Sequence, residues 1–170
     1  MTTQRILYVM NKPPVRLLPH FARCRSMFGI CERYSLDRLH ATYLRLGEST
    51  PESIRAAQAG LQTFWEEPFS IMLDWLSGNV LKPKKSQRGA AAFQRSLMAH
   101  MIRLGATVTP HSFSLHVSLN YDTPPQREIA APGIGWIVDE LLLVESVEGE
   151  GRHITHGRAR LQTRQHCLAF

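Results

Sequence analysis

The chain is poor in cysteine, and that scarcity already narrows its chemistry. Cys24, Cys31 and Cys167 are the only three, an odd number in no metal-ligand spacing. They suggest neither a disulfide scaffold nor a zinc site, and they point to a reducing cytoplasm. No apolar run approaches the roughly 20 residues that a membrane helix needs, so no membrane partner is expected. The opening stretch MTTQRILYVMNKPP lacks the n-region, apolar core and cleavage pattern of a secretory signal. No metal and no cofactor is called for.

What is present is ordinary in bulk. The 170 residues are 44% hydrophobic and 20% charged, which fits one globular domain over residues 1–170 with a real core. A net charge of +6 favours anionic partners, nucleic acid or nucleotides first, although many proteins are mildly basic for solubility alone. One-domain size, with no obvious exposed apolar helix face, makes a monomer the expected state.

Local patterns predict a mixed order of strands and helices. QRILYVM (4–10) is β-rich and stops at two prolines. A short helix, broken by Pro19, follows, and RLHATYLRLG (38–47) is strand-like and closed by Gly47. Ser49 or Thr50 can cap a helix in which Pro51 suits the first turn, and Ile54, Ala57, Leu61 and Phe64 form its apolar stripe. PFSIMLDWL alternates as a half-buried strand, and SGNVLKPKKSQRG is polar enough for an exposed loop. A second helix carries Phe93, Leu97, Met101 and Leu104 and stops at Gly105. FSLHVSLNY is expected as a strand, DTPPQREIAAPGIG as a loop, WIVDELLLVES as a strand, EGEGRHITHG as a turn and RARLQTRQHCLAF as an edge strand. Without a regular βαβα rhythm, the expected class is α+β with antiparallel sheets.

Two triplets stand out, His40-Ala-Thr42 and His116-Val-Ser118. On a strand, residues i and i+2 share a face, so each histidine sits beside a hydroxyl. His116, Ser118 and Asn120 are expected on one face, with Leu115, Val117, Leu119 and Tyr121 on the other. In the first strand Leu44 and Leu46 fall on the His40 side, so only its first half reads as a site. Two imidazoles facing one substrate supply an acid and a base, while hydroxyls steady an anionic oxygen. That set suits metal-free opening of a 2′,3′-cyclic phosphate. Composition alone predicts about one such triplet by chance. A third, His153-Ile-Thr155, sits in the expected Gly-rich turn and is taken as the chance member.

RLHATYLRLGE resembles the first motif of the two-histidine (2H) phosphoesterase superfamily, through Leu39, His40, Thr42, Leu46 and Gly47. The order of elements from about residue 4 to 165 is most similar to the 2′–5′ RNA ligase-like branch of RNA 2′,3′-cyclic phosphodiesterases. The second motif departs from the pattern: Leu115-His116-Val117-Ser118-Leu119 is followed by Asn120 and Tyr121, where the family has a basic residue. The resemblance implies two pseudo-symmetric lobes, each with an antiparallel sheet and flanking helices, around a central cleft. It implies a hydrolase in RNA processing, acting on RNA or a nucleotide with a 2′,3′-cyclic phosphate and leaving a 2′-phosphate. His40 would be the proton donor, His116 the proton acceptor, and Thr42 and Ser118 the phosphate ligands. Alternatives are cleavage of 2′–5′ linked oligonucleotides, a 2′–5′ ligase, a cyclic ADP-ribose phosphate as substrate, or a nucleotide-binding module without turnover. Lys84, Lys85, Arg88 and Tyr121 are candidate RNA contacts, the lysines on a possible flap, and Tyr34 is a second exposed tyrosine. His20, His100 and His111 read as surface histidines, and His156 stays as a minor candidate.

Overall fold

A computed structural model describes residues 4–147 and 152–163. The elements are β1 (Arg5–Asn11), α1 (Leu18–Met27), β2 (Ala41–Glu48), α2 (Pro51–Thr63), β3 (Phe69–Ser77), β4 (Val80–Lys82), α3 (Arg88–Arg103), β5 (Val117–Ser118), β6 (Glu128–Val138), β7 (Glu140–Val147) and β8 (Arg152–Arg160). They form two four-stranded sheets, ordered β2-β1-β7-β8 and β5-β4-β3-β6, with every pairing antiparallel. The class is α+β, as the sequence led us to expect. The two orders correspond: the first triplet opens an edge strand of one sheet, and the second opens an edge strand of the other.

The helices start and stop where their end chemistry says. Thr50 caps α2 and completes a reciprocal capping box with Ser53, with Pro51 in the first turn. At the end of α3, Ala106 N–H reaches the Met101 carbonyl and Gly105 N–H reaches Ile102, which needs the left-handed φ of 86° that Gly105 adopts. Pro19 does not break α1. It occupies the first turn, where its missing N–H has no helical partner to lose.

Several strands differ from expectation. The polar stretch after β3 holds β4, because Gly78 (φ 59°) turns the chain back on itself within a two-residue hairpin loop. The expected loop around Pro132 belongs to β6. This is an edge strand, and Pro132 lies in a bulge where no ladder hydrogen bond is required of it. The run WIVDELLLVES is two strands rather than one. It breaks at Asp139, where the chain leaves one sheet (β6) for the other (β7). Residues 152–160, expected to begin as a turn, are strand β8, and the end of the expected last strand, 164–170, lies outside the described residues.

One apolar cluster spans both sheets. Leu7, Val9, Leu141 and Leu143 from the first meet Ile71, Leu73, Leu76 and Trp136 from the second. α2 adds Ala57 and Leu61, and α3 adds Phe93, Leu97 and Met101. Asn11 on β1 joins the sheets by a buried polar link, accepting from Trp136 Nε1 (2.7 Å) and donating to the Glu140 carbonyl (2.9 Å). Among the described residues no helix is long and apolar enough to cross a membrane.

Candidate active site

Strand β2 solves a problem in its own sequence by means of a bulge. Val9 pairs with Leu44 and Met10 with Thr42, so Tyr43 is an extra residue and the alternation switches there. Thr42 therefore shares the Met10 face, whereas Leu44 and Leu46 turn into the core instead of the His40 side expected for them. Tyr43 is fully buried, stacked on Phe113 and edge-on to Phe69 and Phe93.

His40 immediately precedes β2, and the adjacent Leu39 is buried and anchors it. Its Nδ1 lies 2.7 Å from the Arg38 carbonyl. His116 immediately precedes β5, and its Nδ1 lies 2.7 Å from the Ser114 carbonyl. A carbonyl only accepts, so each Nδ1 is the donor and each Nε2 carries the lone pair of the neutral ring. The second motif strand is shorter than expected, only Val117–Ser118. Asn120 is not beside His116 and Ser118: it is buried, with its amide on the Cys31 carbonyl and on Asp122.

Both motifs open on one cleft of about 670 Å³, lined by His40, Thr42, His116, Ser118 and Tyr121. The structure thus brings together the four polar residues of the two triplets. Tyr34, Arg38, Tyr8, Met10, Ser146 and His153 complete the lining. Arg38 places a guanidinium over the Tyr34 ring at 5.9 Å and brings a cation to the cleft, where the second motif has none. A signal for Arg38 was available in the sequence, since it stands two residues before His40. Tyr34 meets Tyr121 edge to face with centroids 4.9 Å apart, and Tyr121 is 60% exposed.

Burial chiefly lowers the His40 pKa, Lys12 and His116 lower it further, and the Arg38 carbonyl opposes them. Burial also raises the Tyr34 hydroxyl pKa. Among the described residues, no group of three or more His, Cys, Asp or Glu is placed to hold a metal ion.

Lys84, Lys85 and Arg88 do not line the cleft. They belong to the turn after β4 and the first residue of α3, where Lys84 lays its ammonium 4.9 Å over the Trp75 ring. His156 also points elsewhere, donating to the buried Glu145 (3.0 Å), which Arg5 and Ser49 engage as well. His100 bonds to Gly60 and Thr63, and His111 to the Thr109 carbonyl.

No protein-family model matches the sequence, and no curated protein does. Solved structures do match. A phosphoesterase crystal structure superposes with a TM-score of 0.78 at 22% identity, over 94% of this chain and 99% of that one. Escherichia coli LigT in its apo form gives 0.76 at 20% identity, over 95% of this chain and 100% of LigT. The chain has the fold of these phosphoesterase and LigT structures. A Thermus thermophilus protein shares it at 0.66 and 17% identity, over 92% of this chain and 97% of that one. LigT has also been solved with 3′-AMP, with phosphate and with ATP. The 2H resemblance read from His40, Thr42 and the element order is therefore matched by the fold.

Proposed function

We propose that residues 1–170 form one bilobal, metal-independent phosphodiesterase that opens a 2′,3′-cyclic phosphate, on an RNA end or a nucleotide, to a 2′-phosphate. The carrying observation is the matched pair of imidazoles at one cleft, His40 and His116, each with Nδ1 tied to a carbonyl and a hydroxyl two residues on. The nucleotide and phosphate complexes of LigT support a phosphorylated ligand of this kind. A cytoplasmic monomer remains part of the proposal.

In this mechanism the cyclic phosphate lies between the two walls, its oxygens accepting hydrogen bonds from the Thr42 and Ser118 hydroxyls. Arg38 adds positive charge beside them. His116 Nε2 takes a proton from water as the water oxygen bonds to phosphorus. The P–O3′ bond breaks, and protonated His40 gives its Nε2 proton to the leaving 3′-oxygen. The product is a 2′-phosphate with a free 3′-hydroxyl, and each histidine has exchanged one proton. His40 suits the acid role in one respect: its burial makes the imidazolium a stronger acid, and an anionic substrate beside it restores the proton it must donate.

The test is turnover of a 2′,3′-cyclic nucleotide and of a short RNA with a 2′,3′-cyclic end, in EDTA. His40→Ala and His116→Ala should each lose about 10²–10⁴-fold in rate. Activity that survives both substitutions, or disappears with EDTA alone, sinks the reading.

A further inference from the structure

The third triplet is not in a turn. His153 lies on β8, where it pairs with Ser146 of β7, and both residues line the same cleft as His40 and His116. β8 and β2 are the outer strands of one sheet, and Tyr8, Met10 and Ser146 of the strands between them line the same cleft. The His153 and His40 rings meet edge to face, with centroids 5.3 Å apart and planes at 72°.

His153 differs from the other two in one respect. His40 and His116 give Nδ1–H to a backbone carbonyl, whereas His153 Nδ1 is sealed from solvent with no hydrogen-bond partner. A buried N–H without an acceptor is rarer and costlier than a bare lone pair. The proton of the neutral ring therefore belongs on Nε2, the only polar ring atom left for a ligand. The surroundings keep the ring neutral. Burial is the largest cause, His40, Lys12 and Arg38 add to it, and Asp37 opposes, so the pKa is pushed down to about 4.

We propose that His153 is a substrate-positioning residue, a neutral imidazole that donates Nε2–H to an oxygen of the phosphate held between His40 and His116. This rests on the reading of the cleft as a phosphodiester site. The three histidines then divide the work: two exchange protons, and the third holds an oxygen without changing its own protonation. A fixed, uncharged donor in a partly dry cleft strengthens as charge builds on phosphorus in the transition state.

Two substitutions isolate the hydrogen bond. His153→Phe keeps the aromatic edge against His40 and removes the donor. His153→Gln returns an N–H near the Nε2 position. Equal melting temperatures will establish that the variants fold; if His153→Phe does not fold, His153→Asn replaces it, because its amide reaches only the Nδ1 position. Two readouts are needed, titration with inorganic phosphate and the pH dependence of 2′,3′-cyclic nucleotide turnover. Loss of the donor should lower kcat/KM by about tenfold or more and weaken phosphate several-fold, with the Gln variant restoring most of both. Both limbs of the pH profile should stay in place. A limb that vanishes makes His153 a proton-transfer group and overturns the proposal. Equal phosphate affinity in wild type and in the Phe and Gln variants overturns it too, as does a wild type that binds no phosphate. If the wild type binds phosphate but turns over no cyclic nucleotide, the phosphodiesterase reading falls, and the phosphate series alone decides the role of His153.

Discussion

His40 and His116 are held in the same way, each by a 2.7 Å bond from Nδ1 to the carbonyl two residues before it, Arg38 and Ser114. Matched anchors beside two different sheets leave the two Nε2 atoms as the ends that the proposed mechanism uses. The rings are also close enough for charge on His116 to disfavour charge on His40. That repulsion adds to the burial that lowers the His40 pKa, and the pH profile is where the effect is visible.

If His40 is the acid, the alkaline limb of the profile reports the loss of its proton. In the free protein that pKa lies below the usual histidine value, so kcat/KM should begin to fall on the acid side of neutrality. An anionic substrate raises the pKa, so the same limb in kcat should move to higher pH. Coincident limbs in kcat and kcat/KM, from full rate profiles between about pH 4 and 9, would count against this assignment.

Thr42 and Ser118 line the cleft beside the two imidazoles. Thr42→Val and Ser118→Ala remove hydroxyls while leaving nearly the same shape. Each should lower kcat/KM by about 10- to 100-fold, and inorganic phosphate should bind more weakly to both. Unchanged phosphate affinity would mean that the hydroxyls only support the strands.

Tyr121 is exposed at the cleft and its ring meets Tyr34 edge to face, a ready surface for a nucleobase. Tyr121→Ala should raise KM for a 2′,3′-cyclic nucleotide by about tenfold, since one stacked base contributes roughly 1–3 kcal/mol. The same substitution should barely change KM for ribose 2′,3′-cyclic phosphate, which has no base. Equal losses on the two substrates would place Tyr121 in the scaffold.

Much of this was legible in the residues. Thr50 and Pro51 announced α2, Gly105 ended α3, and the two triplets marked both walls of the cleft. What escaped was long-range. The bulge at Tyr43 is invisible to a strict alternation of faces, which puts Leu44 and Leu46 on the His40 side. The chain changes sheets at Asp139, and because Val138 and Leu141 on either side of Asp139-Glu140 are buried alike, the run reads as one strand. Composition makes His153 look like chance, since its meeting with His40 joins the two outer strands of a four-stranded sheet and is not visible in spacing along the chain.

The buried bond between Asn11 and Trp136 links the two sheets next to the cleft, with Asn11 paired to Ala41 at the start of β2. Asn11→Ala would strand the indole N–H of a residue that is only 5% exposed. The expected cost is about 1–3 kcal/mol of stability, read as a lower urea midpoint. Replacing the pair together, Asn11→Leu with Trp136→Phe, should cost less than the sum of the single changes. Strict additivity would show that the bond does not couple the sheets.

His153 gives a stability prediction with a definite sign. Its folded-state pKa of about 4 lies below the value of roughly 6.5 that the unfolded chain should show. Between those values the unfolded chain binds a proton that the folded protein refuses. The stabilisation is therefore complete above about pH 6.5 and drains away as the pH falls toward 4. It amounts to at most about 3 kcal/mol, and the partial exposure of the ring reduces it. His40 contributes in the same direction, and the carboxylates change stability in wild type and variant alike. The comparison that isolates His153 is the urea midpoint of wild type and His153→Phe at about pH 7 and about pH 4.5. Wild type should lose distinctly more stability between the two, because a phenylalanine ring in that place has no proton to refuse. Parallel losses would show that the imidazole takes up its proton in the folded cleft as readily as in the unfolded chain.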